Sequence, residues 1–133
     1  MTNLFCKKMF TLLVKIEINL LYLQPKKHVA MIVKYDKDYL EELYDYGKCN
    51  EKKYRFQPQV VQKYQKRIDM LMAATRIEDL FVFKSLNFEK LEGTDRFSVR
   101  IDIHYRLEFK ISQQEGETVL TICTIMDITN HYK

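Results

Sequence analysis

From Val99 to Ile111 apolar and polar side chains alternate without a break, Tyr105 standing in one of the apolar slots. A two-residue period belongs to β-structure with one covered face, and no helix reproduces it. The polar parity carries Arg100, Asp102, His104, Arg106, Glu108 and Lys110. Because strands usually run about five or six residues, a stretch this long predicts two strands and a bend. A three-residue loop at Asp102-Ile103-His104 sets Ile101 opposite Tyr105 and Arg100 opposite Arg106. Like charges directly opposed in a sheet are unfavourable unless something neutralises them. An anion between the two guanidiniums would do so, and phosphate suits their fork geometry. Two solvated arginines beside Asp102 and Glu108 are the plainer reading of the same pattern.

The rest of the chain confines the fold around that hairpin. At 133 residues it is long enough for one two-layer core. With 47% hydrophobic and 30% charged residues it has the make-up of an ordinary globular protein. The net charge of +4 sits entirely in residues 1–30, which hold five lysines against Glu17; residues 31–133 are balanced, with seventeen charges of each sign. Global charge therefore gives no support for nucleic-acid binding, and any such case rests on local arrangement. Cys6, Cys49 and Cys123 are odd in number and lack CxxC spacing, which argues against a disulfide framework or zinc site and suits a reducing cytoplasm.

Residues 1–30 read as an N-terminal extension. Lys7-Lys8 before Met9–Val14 hints at a signal peptide, but Lys15 and Glu17 interrupt the apolar run and no small-residue cleavage site follows. The run is also too short and too charged to span a membrane. Residues 16–20 are a candidate edge strand, and an upstream start with true initiation at Met31 is the favoured reading. Residues 31–133 form the domain. Met31–Tyr35 is a strand; Asp36 is a candidate N-cap for a helix that carries Tyr39, Leu40, Leu43 and Tyr44 and ends at Gly47. Pro58 opens a second helix with a stripe of Val60, Val61, Tyr64, Ile68, Leu71 and Met72, and Lys63, Lys66 and Arg67 read as its solvated face. Residues 88–93 are a brief strand, and Thr118–Ile128 is a β-branched one. Helices gathered before strands imply an α+β fold, with two antiparallel helices packed on a three- to four-stranded, mainly antiparallel sheet.

Little conventional enzyme chemistry remains open. Three glycines far apart (Gly47, Gly93, Gly116) exclude phosphate-cradling glycine loops, no His pair stands at metal-ligand spacing, and no serine lies in an elbow motif, so neither cofactor nor metal is expected. What is left is a basic and phenolic set: Lys90, Arg96, Arg100, His104, Arg106 and the terminal His131, Tyr132 and Lys133. Such a set is sufficient to cleave RNA, which carries its own nucleophile in the 2′-OH. The protein must then deprotonate that hydroxyl, hold the phosphate and protonate the departing 5′-oxygen.

Four short motifs in order carry a family resemblance: Phe88-Glu89-Lys90-Leu91-Glu92-Gly93, Phe97-Ser98-Val99-Arg100-Ile101, Tyr105-Arg106-Leu107-Glu108-Phe109 and Asp127-Ile128-x-x-His131-Tyr132. Together they make residues 31–133 similar to the HigB-type toxins of the RelE superfamily. The resemblance implies a ribosome-dependent endoribonuclease that cuts mRNA in the A site of the 30S subunit, held in check by a HigA-like helix-turn-helix antitoxin. It places Arg100 and Arg106 on the scissile phosphate and His131 and Tyr132 at the proton-transfer positions, without saying which is the acid. Lys90, Arg96, His104 and Lys133 fall in the RNA-binding surroundings. Glu89 and Glu92 depart from the basic residues some members carry before the glycine, and the tail reads His-Tyr-Lys instead of ending on Tyr-His. A catalytically inactive binding module for antitoxin or RNA is the alternative these departures motivate.

Overall fold

The protein is seen here as a computed structural model that describes residues 31–130. Strand β1 (Ile32–Tyr35) leads into helix α1 (Asp38–Tyr46). Asp36 is not the cap: its amide extends the β-ladder by donating to the Ile125 carbonyl (2.9 Å), and Lys37 takes the N-cap position without a side-chain bond. The helix stops where expected. Gly47 adopts φ 74°, a left-handed value that costs glycine little, and its amide closes onto the Leu43 carbonyl at 3.0 Å. Pro58 begins α2 (Pro58–Ala73), where its missing N–H removes no helical bond. Met72, assigned to the buried stripe by spacing, lies at its edge and is exposed.

The two helices touch through Tyr64 Oη on the Leu40 carbonyl, Gln65 on Leu43 and Tyr44 carbonyls, and Tyr44 Oη on Asp69. The connection between them, residues 47–57, includes a 3-10 turn (Lys52–Tyr54).

After α2 come two 3-10 turns (Ile77–Val82, Lys84–Leu86), then β2 (Glu89–Lys90), β3 (Arg96–Arg100), β4 (Tyr105–Glu115) and β5 (Val119–Asn130). The sheet has five strands in the order β1-β5-β4-β3-β2 and is mixed, since β1 joins β5 in parallel. The fold is α+β as the sequence implies, but the strand count and pairing are larger and less uniform than expected. The pairing of β1 with the last strand leaves no local signal, because its partner stands about ninety residues away.

The central hairpin has the anticipated register. Arg100 opposes Arg106, the Ile101 amide donates to the Tyr105 carbonyl (2.9 Å), and Asp102–His104 form the loop. Asp102 makes that loop by accepting the His104 and Tyr105 amides on one carboxylate oxygen, each at 2.8 Å. On one parity Val99, Ile101, Leu107, Phe109 and Ile125 join the helices in the core. The opposite parity is not simply solvated: Ser98, Arg106 and Glu108 are buried there.

Candidate functional site

The hairpin end fixes two guanidiniums side by side and treats them differently. Arg100 is exposed and has no ion-pair partner among the described residues. Its backbone is held by α2, whose Arg67 Nε donates to the Arg100 carbonyl at 2.8 Å. Arg67 is thus not part of a merely solvated face; burial of its guanidinium lowers its pKa. Arg106 is only 8% exposed. Its side chain leans across β3, where Nε donates to Ser98 Oγ (2.5 Å) and Nη2 to the carbonyls of Asn87 (2.5 Å) and Ser98 (3.2 Å). The Glu89 carboxylate stands 3.8 Å from the same nitrogen. Burial, chiefly, and then the Arg100 charge lower the Arg106 pKa, while Glu89 opposes them.

Asn87 organises this corner. It has the single positive φ (43°) of any non-glycine residue among those described, a conformation asparagine tolerates better than most. Its carbonyl meets Arg106, and its amide nitrogen lies 3.4 Å from Glu89 Oε1. Neither Asn87 nor Ser98 was singled out from sequence. Ser98 had a usable signal, since the predicted register puts it on the Arg106 parity one step along β3.

Arg96 opposes Lys110 on that same parity, four residues and so about 13 Å from the Arg100–Arg106 pair. Both are already neutralised, Arg96 by Glu108 (3.4 Å) and Lys110 by Asp95 (3.3 Å). Lys90 opposes Phe97, which puts it on the helix-bearing parity, away from Arg106. It lines an open depression of about 1090 Å³ with Gly93, Arg96 and Lys110. His104 is exposed at the hairpin tip. Strand β5 runs beside β4 until Asn130 opposes Tyr105, next to Arg106. His131, Tyr132 and Lys133 lie outside the described residues. Tyr105 packs edge-on against Phe56, as its apolar slot suggests. The structure therefore brings Arg100 and Arg106 together, leaves His104 at the near tip, and sets Lys90 and Arg96 apart.

The architecture is that of a small α+β domain whose opposed arginines sit at the end of a hairpin. Residues 33–122 match the HigB-like toxin family, described as the RelE-like toxin of type II toxin-antitoxin system HigB. The chain belongs to that family, which gives it the role of a toxin and implies an antitoxin as its partner. A solved structure, the YoeB/ParE toxin from Agrobacterium tumefaciens, aligns with 77% of this chain and 100% of its own length at 15% identity and a TM-score of 0.46. No curated protein matches. Among the described residues no helix is long and apolar enough to cross a membrane.

Proposed function

We propose that this toxin is a ribosome-dependent endoribonuclease that acts in the cytoplasm and cuts mRNA in the 30S A site without a metal ion. The 2′-oxygen of the substrate attacks the adjacent phosphorus, the bond to the 5′-oxygen breaks, and protons pass from the first oxygen and to the second. Arg100 and Arg106 neutralise the phosphate as charge builds on it, and His131 and Tyr132 carry the protons. Lys90, Arg96, His104 and Lys133 contact the flanking RNA. The register that sets Arg100 opposite Arg106 carries this reading, because two like charges fixed face to face call for an anion. A domain with balanced charge lacks a strong phosphate-tracking surface of its own, which is why the ribosome must present the message. Its cognate partner is a HigA-like helix-turn-helix antitoxin.

One observation favours a second reading. Arg106 is buried and partly neutralised by Glu89, as it would be in a domain that binds antitoxin or RNA without cutting. Induction in bacterial culture separates the two. An endonuclease arrests growth and leaves primer-extension stops within translated messages, and Arg100→Ala abolishes both while the protein stays folded. Unimpaired growth with no such stops rejects the nuclease and leaves the binding module.

A further inference from the structure

The corner formed by β2 and the turn before it already contains an anion, and it is the protein's own. Arg106 Nε and Nη2 are taken by Ser98 and Asn87, so Nη1 is the nitrogen without a hydrogen-bond partner among the described residues. Glu89 stands at 3.8 Å on the Arg106 side of the pair, while Arg100 faces Arg106 from β3. The carboxylate is not an arbitrary surface charge. Its Cα opposes Ser98, whose hydroxyl holds Arg106, and the left-handed Asn87 turns its amide towards Glu89 while its carbonyl binds Arg106. One residue thus seats both partners. The Glu89 side chain is also half-exposed, so it can leave for water at little cost where a buried acid would not.

We propose that the Arg100–Arg106 corner is a phosphate site closed in the free protein by Glu89, a built-in counter-anion that an incoming phosphodiester must displace. This rests on the phosphate-binding part of the reading above and adds the group that sets its affinity. Two anions cannot share one guanidinium rim without repelling each other, so the carboxylate swings out as the phosphate enters. Free phosphate and stray RNA then bind weakly. A message held in place by the ribosome supplies the local concentration needed to win the exchange.

Removing the Glu89 charge is the test, with inorganic phosphate as the probe and the Nε–H signals of Arg100 and Arg106 followed by NMR in the whole chain. Glu89→Gln keeps the shape and removes the charge. It should bind phosphate about fivefold more tightly than the native protein at low salt, a figure discounted for the exposure of the carboxylate. The gain should shrink as ionic strength rises, and Glu89→Gln/Arg100→Ala should lose it. If Glu89→Gln and Glu89→Ala bind phosphate no more tightly than the native chain, the counter-anion is refuted. Because no ribosome is present, a lack of growth arrest in cells bears on the nuclease alone and leaves this result standing.

Discussion

Arg106 is a buried cation whose hydrogen bonds all serve the fold around it. Truncating it removes the donors that Arg106 gives to Ser98 Oγ and to the carbonyls of Asn87 and Ser98, and takes the countercharge from Glu89. Arg106→Ala should therefore cost about 2–4 kcal/mol of stability in urea unfolding. Arg100→Ala, at an exposed position, should change it by less than about 0.5 kcal/mol. Equal losses for the two would show that Arg106 is not anchored as described. The contrast also decides which substitution speaks about function: loss of growth arrest is informative for Arg100→Ala and confounded for Arg106→Ala. The alternation of residues 99–111 made this pair readable, because parity and a three-residue loop determine who opposes whom. It did not reveal that Arg106 is buried. A period of two separates the faces of a sheet and says nothing about what covers each, and the cover comes from Asn87 and Glu89 on another strand and turn.

Among the elements, β5 and α1 are joined by a polar latch that no local pattern announces. Met126 is the extra residue of a bulge between the Glu108–Asp127 and Phe109–Ile125 pairs. Beside it Asp127 accepts the Tyr39 hydroxyl (2.5 Å) and the Lys37 ammonium (3.0 Å), and Tyr39 Oη in turn accepts the Ile128 amide (3.3 Å). Tyr39 is stacked on Tyr54, with centroids 3.6 Å apart, and so also ties the loop after α1 to this end of the sheet. Tyr39→Phe keeps the stack and deletes the hydroxyl, so it should cost about 1–2 kcal/mol. Asp127→Ala should cost more, because it strands the Tyr39 hydroxyl in a buried place. Urea midpoints of the two variants check the order; a Tyr39→Phe protein as stable as the native one would leave the latch without weight. The helices themselves were legible from Gly47, Pro58 and a 3.6-residue stripe. The parallel partner of β1 was not, since it depends on contacts between segments far apart in sequence.

At the scale of the molecule, the helix–sheet core buries weak acids that ionise only at high pH. Cys123 lies fully buried on β5, and burial pushes its thiol up to about 12 from an ordinary value near 9. Tyr64, inside the same core, is raised above the usual tyrosine range, first by burial and then by neighbouring phenols and acids. Tyr39 is raised by burial and by its bond to Asp127, and Tyr35 by burial and by Tyr44. In every case the folded state holds the proton more tightly than the unfolded chain does. The stability linked to Cys123 is therefore complete below pH 9 and is lost as pH climbs towards 12, with the tyrosines adding their share from about pH 10 upward. Urea midpoints should hold steady between pH 7 and 8.5 and fall from pH 9 to 11. Cys123→Ala should flatten the early part of that fall, because its side chain has no proton to lose. A native midpoint unchanged at pH 10.5 would mean that these groups open to water before the chain unfolds, and the single core joining helices to sheet would then have to be redrawn.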